Sequence, residues 1–233
     1  MPRALAGIPG RAAVLVIDAE SRDGTVALAR RYGARVIVRP WAGFVDARRF
    51  ALEAAATPWT FMLDADEVLD DELRDGVLSA TPGRDVAAFR VARTTWFCGR
   101  PIRGLGWSDE RLVRLVRTAA ARVTAHPVAG GAAQVHERLD VDGAIADLPG
   151  TLRHDSYPTL AAYRRKFAAY TSLEASGVDG GIPRVLLALA RALVRSPYLF
   201  VVRGGWRDGW RGAFLSVASA AYPVAVAWKA WRR

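Results

Sequence analysis

The chain has 233 residues, 52% of them apolar, enough for one large domain or a domain with an appendage and for a sizeable core. Its single cysteine, Cys98, excludes an internal disulfide and suits a reducing compartment. The net charge is +10, but from Arg184 onward nine Lys/Arg face one acid, Asp208, so the tail carries +8 and the first 183 residues only +2. Four of the eight tryptophans, 206, 210, 228 and 231, also lie in that tail. Such a segment usually meets nucleic acid or an anionic membrane.

The first half alternates. Val14-LVID is a short apolar strand. Asp23-Gly-Thr25 opens a helix, Val26-ALARRYG, that stops at Gly33. Ala34-RVIVRP is a second strand and Phe44-VDARRFALEAAA a second helix. Trp59-TFMLDAD is a third strand, and Asp70-DELRDGVL begins a third helix. Strand–helix alternation of this kind predicts an α/β fold with a mostly parallel central sheet flanked by helices. After Pro82 the long helices disappear. Val86-AAFRVART, Arg111-LVRLVR and Gln134-VHERLDV read as strands of antiparallel or mixed pairing. From Thr159 the chain turns helical. The expected division is therefore an α/β domain over residues 1–158 and a helical, basic, Trp-rich region over 159–233. No signal peptide is evident at the start.

Two strands end in acids, Val14-LVID18 and Trp59-TFMLD64-A-D66. In open parallel sheets, ligands bind beyond the carboxyl ends of the strands. An extended chain points Asp64 and Asp66 the same way. Beside a diphosphate two carboxylates would repel the ligand unless a hard divalent cation, Mg²⁺ or Mn²⁺, bridged them to it. The plainer alternative makes Asp64, Asp66 and Glu67 solvated acids that cap the next helix. No P-loop or G-x-G-x-x-G signature is present, which argues against a kinase or a dinucleotide enzyme.

Val16-IDAESRDGT-Val26, Ala34-RVIVRPWAGF, Arg48-RFALEAA and Leu63-DADE together resemble the nucleotide-sugar half of inverting family-2 glycosyltransferases of the GT-A fold. The likeness is to the bacterial subgroup typified by lipopolysaccharide core β-glucosyltransferases. Gly106-W, Arg114-LVR, Val135-HERLDVDG, His154-DSY, Tyr170-TSLEA and Gly209-WRG extend it over nearly the whole chain. The resemblance implies metal-assisted transfer of a sugar, with inversion, from a nucleotide diphosphate sugar to an envelope glycan or lipid-linked acceptor. It places Asp18 at the nucleoside, Glu20 among the substrate-binding residues, Arg48 near the donor, Asp64 toward ribose and metal, and Asp66 on the metal.

A single in-line displacement needs one general base. Glu137 is the candidate, with Glu110 its rival; at Gly106-WSDERLVRLVR the chain departs from the family's usual stretch. A salt bridge of Glu137 to Arg138 or Arg114 is the structural alternative. His154 is a candidate late metal ligand or a hydrogen-bonded structural residue. His136 has an orienting or a plain core role, and His126 sits in a turn with no role assigned. The family normally opens with a further strand and helix, for which Met1-PRALAGIPGRAA is too short, so a non-catalytic nucleotide-sugar-binding or scaffold relative is the alternative reading.

In the tail, Gly212-AFLSVASAAYPVAVAW228 is uncharged over 17 residues and contains Pro223. That is the short limit of a spanning helix. Arginines punctuate Val185-LLALARALV194 and Tyr198-LFVV, with tryptophans beside the charges, a membrane-interface pattern. The expectation is a peripheral protein on the cytoplasmic face of the inner membrane, its tail helices lying in the inner leaflet. The alternative packs those helices on the catalytic domain. Nucleic acid is not an expected partner, because the arginines sit between apolar blocks instead of clustering on a polar face.

Overall fold

A computed structural model describes residues 1–80, 82–83, 85–107, 110–125 and 137–233, and of Glu137 the backbone alone. His126 and His136 lie outside the described residues, as do Ser108 and Asp109. The chain divides into two compact units. One holds residues 1–93, 111–125 and 137–154, the other residues 94–110 and 155–233.

The first unit begins with helix α1, Pro2–Ala6, followed by strand β1, Leu15–Asp18, helix α2, Thr25–Arg31, and strand β2, Arg35–Val38. β1 and β2 pair in parallel, Leu15 opposite Arg35 and Asp18 opposite Val38. Leu5, Ala29 and Ala34 form a small core beneath them. Helix α3, Phe44–Glu53, leads to β3, Trp59–Phe61; a short β4, Glu67–Leu69, and helix α4, Asp71–Ser79, follow.

The remaining strands are β5, Val86–Phe97; β6, Arg100–Pro101; β7, Glu110–Arg117; β8, Ala121–Ala125; β9, Glu137–Val141; and β10, Ala144–Tyr157. The main sheet has the order β3-β7-β5-β10-β4, and β6 pairs with β5. Alternation along these strands feeds two cores. Phe61 and Leu63 of the β3 segment, Phe89 and Val91 of β5 and Leu115 of β7 pack with Leu73 of α4. Their neighbours Met62, Ala88 and Val116 enter a second cluster with Leu52 of α3 and Val123 of β8. A period of two on a doubly covered sheet has this outcome.

The α/β class with flanking helices is the one the sequence implied; the central sheet, expected to be mostly parallel, is mixed, with β3–β7, β10–β4 and β5–β6 antiparallel. The neighbours differ in detail. β3 pairs antiparallel with β7, Phe61 opposite Leu115, and β1 lies in a separate two-stranded sheet with β2. Asp18 and Asp64 therefore do not end hydrogen-bonded neighbouring strands. Alternation of strands and helices predicts parallel pairing in general but does not choose the neighbour, and β7, apolar toward both cores, takes the edge of β3.

In the second unit, helix α5, Leu160–Ala175, helix α6, Ile182–Pro197, a wide turn at Tyr198–Val202 and helix α7, Trp210–Trp231, form a helical layer. Thr159 caps α5, its hydroxyl accepting from the Ala162 amide. An aromatic core gathers Phe97, Tyr163, Phe167 and Phe214 around Leu199 and Leu215. α7 packs against both α5 and α6.

Candidate active site

Apolar β3 ends, the chain turns at Asp64–Asp66, and β4 begins at Glu67. Glu67 makes that turn. Its side chain is wholly buried, and Oε2 accepts the Asp64 amide at 3.0 Å. Oε1 accepts from Arg114 Nη2 at 2.5 Å and from Arg93 Nη1 at 3.3 Å. Burying a carboxylate demands such pairing.

Asp64 is held from two sides. Arg48 Nη2, from α3, donates to Oδ1 at 2.6 Å and Oδ2 at 2.9 Å; Arg114 Nη2, from β7, donates to Oδ2 at 3.1 Å. Burial pushes the Asp64 carboxyl up, but the Arg114 and Arg48 guanidiniums outweigh it and hold the group below the usual carboxylate range. Burial would likewise lower Arg114, yet Glu67 and Asp64 raise it. The result is a ladder of alternating charge, Arg48–Asp64–Arg114–Glu67–Arg93, reaching inward from the turn.

Asp66 has a different environment. Its Oδ2 lies 3.5 Å from Nε2 of His154, and its side chain is 38% exposed. His154 stands there because β10 pairs antiparallel with β4, His154 opposite Glu67. The structure thus brings Asp66 and His154 together, as well as Arg48 and Asp64. Among the described residues no group of three or more His, Cys, Asp or Glu side chains converges on one point.

Asp18, buried at the end of β1, accepts the Ser21 amide at 2.8 Å and shapes the turn into α2. Glu20 in that turn is exposed with φ +60°. Glu110 opens β7 and is half-buried. Glu137 opens β9, opposite Ala125.

Sequence reasoning did not single out Arg93 or the role of Glu67, and it offered Arg114 only as a structural partner for Glu137. The signal for Glu67 was its place directly after the acidic turn and before Val68-Leu69. For Arg114 it was a charge flanked by apolar residues inside a strand that serves two cores.

A family model described as glycosyl transferase family 2 matches residues 4–171. The lipopolysaccharide core biosynthesis glycosyltransferase LpsC of Rhizobium meliloti is 28% identical over 231 residues, 95% of this chain and 83% of its own length. An uncharacterized glycosyltransferase of Mycobacterium tuberculosis is 31% identical over 179 residues, 75% of this chain and 76% of its own. An uncharacterized glycosyltransferase of Rickettsia felis is 47% identical over 64 residues, 28% of this chain and 23% of its own. With the family's model covering most of its length, this chain belongs to glycosyl transferase family 2.

Proposed function

We propose that this glycosyltransferase moves a sugar from a nucleotide diphosphate sugar to an envelope glycan or lipid-linked acceptor, with inversion, at the cytoplasmic face of the inner membrane. The observation that carries the reading is the split character of the acidic turn. One carboxylate is held by two guanidiniums, and two residues on another stands beside an imidazole. A diphosphate donor needs both a cationic contact and a place for a cation.

Asp66 and His154 suit a divalent cation. Their two donor atoms stand 3.5 Å apart, near the ~3 Å edge of an octahedron with bonds of about 2.1 Å. A mixed oxygen and nitrogen set favours Mn²⁺ over Mg²⁺. Asp66 and His154 would hold the cation, with Asp64 toward it and the ribose. When bound, the cation neutralises charge on the departing diphosphate.

Arg48 reaches the phosphates while Asp64 fixes its guanidinium. Asp18 holds the nucleoside, with Glu20 among the substrate-binding residues. The acceptor oxygen forms a bond to the anomeric carbon as the bond from that carbon to the phosphate oxygen breaks. The acceptor's proton passes to a carboxylate, Glu137 first and Glu110 as its rival. The relative named for lipopolysaccharide core biosynthesis supports an envelope acceptor. The basic, Trp-rich tail supports membrane attachment, and its helices 182–202 and 210–231 are long and apolar enough to cross a membrane.

The test is a thermal-shift panel of nucleotide sugars with and without Mn²⁺ on the wild type and on Asp66→Ala. One donor should stabilise the wild type only with metal, and Asp66→Ala should lose that response. Equal shifts in both proteins would remove Asp66 from the metal.

A further inference from the structure

α6 has three sides, each of different chemistry. Val185 and Ala188 are buried, packed with Val224 and Ala227 of α7. Ile182, Leu186, Leu189 and Leu193 recur at three- and four-residue spacing and so form one stripe along the helix. All four are exposed, Leu193 by 78%. Leu187 and Val194, 71% exposed, broaden that stripe on one flank. Arg184, Arg191 and Arg195 recur at spacings of seven and four, and form a third line that is exposed throughout. The helix therefore presents a broad apolar face bordered on one side by α7 and on the other by arginines.

Soluble surfaces rarely leave apolar patches of this extent uncovered. From Ile182 to Val202 the segment has 21 residues, about 31 Å if helical throughout and thus long enough to span a bilayer. The charges argue against spanning, since Arg191 falls one residue from the middle of that segment and would lie near the bilayer centre. α7 has its polar groups committed inside the protein. Tyr222 Oη is 2.7 Å from Glu174 Oε1, and Lys229 Nζ donates to Thr171 Oγ1 at 2.7 Å and Ser172 Oγ at 2.9 Å. Its Leu215, Ser216 and Ala220 are buried. α7 is thus the more packed of the two helices, and α6 the one with the more open apolar face.

We infer that α6 lies in the plane of an anionic bilayer surface, its Ile182–Leu193 stripe in the acyl boundary and Arg184, Arg191 and Arg195 at lipid phosphates. This rests on the membrane reading above and narrows it to one helix face and one orientation. An apolar stripe beside a cationic line is the chemistry that an interfacial helix needs. It also accounts for three of the tail's nine Lys/Arg without nucleic acid.

The experiment uses the full-length protein in flotation with vesicles of phosphatidylcholine alone and of phosphatidylcholine with phosphatidylglycerol. The wild type should float with the anionic vesicles and leave them on alkaline carbonate washing. Leu186→Asp with Leu193→Asp changes two exposed positions and should weaken flotation at least tenfold. Arg184→Gln, Arg191→Gln and Arg195→Gln together should abolish the preference for phosphatidylglycerol. Nucleotide-sugar thermal shifts on the same variants should match the wild type. Wild-type protein that floats with no vesicle would overturn the membrane reading as a whole. Leucine variants that float like wild type would overturn the α6 assignment alone, as would wild type that resists carbonate. So would leucine variants that convert a dimer into a monomer with lipid binding unchanged, since the stripe would then join two copies of the chain.

Discussion

Arg114 and Glu67 form an ion pair from which water is nearly excluded, their side chains 4% and 0% exposed, on strands β7 and β4 that are far apart in the sheet order. The pair does two things at once. It satisfies a buried carboxylate, and it carries a guanidinium to Asp64 while Glu67 holds the Asp64 amide. The backbone and the side chain of the first acid in the turn are therefore fixed by one buried pair.

Removing either partner should leave the other charge buried and uncompensated, at a cost of about 3–5 kcal/mol. For a chain of this size that corresponds to a fall in Tm of roughly 6–20 °C. Glu67→Ala and Arg114→Ala should both show it in thermal unfolding. Arg93→Ala should cost less, because Arg93 is only a secondary partner at 3.3 Å and is more exposed. Loss of less than 1 kcal/mol in both primary variants would show that the pair contributes little to holding the turn.

The acid limb of stability should report Asp64. Its folded pKa lies below the ordinary 3.8 because Arg114 and Arg48 outweigh burial. A carboxyl lowered in the folded state binds protons more readily when unfolded, so its stabilisation is complete above about pH 4 and is lost as pH falls through the lowered value. Arg48→Ala removes one of two lowering charges, and its acid unfolding midpoint should move to higher pH. Arg49→Ala, at the exposed neighbouring position, should leave the midpoint in place. Tryptophan fluorescence in metal-free buffer reads both; identical midpoints for wild type and Arg48→Ala would refute the argument.

How much of this was legible before any coordinates follows from what each residue's neighbours reveal. The acidic turn was visible because an apolar run, Trp59–Leu63, stops at Asp64, a contrast that needs no tertiary knowledge. Asp70 was legible as the start of α4, since a side-chain acceptor there is a local signal. The meeting of Asp66 with His154 was expected only from the family resemblance and not from the residues themselves, because it depends on β10 pairing with β4, which sets His154 opposite Glu67, 87 positions earlier, and β4 is only three residues long. Arg114 was hidden for a different reason. Arg111, Arg114 and Arg117 look alike in sequence, yet only the middle one faces carboxylates in the interior; Arg111 meets the half-exposed Asp147 at 3.2 Å, and Arg117 lies over the Trp59 ring.

Metal dependence should separate Asp66 from His154. Asp66→Asn removes the charged donor and should abolish the Mn²⁺ requirement for donor-induced stabilisation together with the stabilisation itself. His154→Gln keeps a neutral acceptor near the same place and should raise the Mn²⁺ concentration for half effect about 10–100-fold. Titration of Mn²⁺ at fixed nucleotide sugar measures both. An unchanged half-effect concentration in His154→Gln would make that histidine a hydrogen-bonded structural residue.

The turn's geometry should also depend on a glycine remote from it in chemistry. Gly150 of β10 adopts φ +80°, and a Cβ there would stand 2.2 Å from the Leu73 amide nitrogen and 2.6 Å from Asp70 Oδ1. Those groups belong to the cap of α4, where Asp70 accepts from Leu73 N at 2.8 Å and, with its other oxygen, from Thr151 N at 2.8 Å. Asp70→Ala should lose the cap, at about 1–2 kcal/mol. Gly150→Ala should cost more, because the contacts are with backbone that cannot swing aside and the φ itself is strained. Any shift of β10 also moves the register that sets His154 opposite Glu67. Gly150→Ala should therefore weaken Mn²⁺-dependent donor stabilisation as well as the fold, whereas Asp70→Ala should affect mainly the fold. Denaturant unfolding and the Mn²⁺ titration, run on both variants, test the order of the two effects, and Gly150→Ala that keeps wild-type stability would show that β10 can yield without disturbing the site.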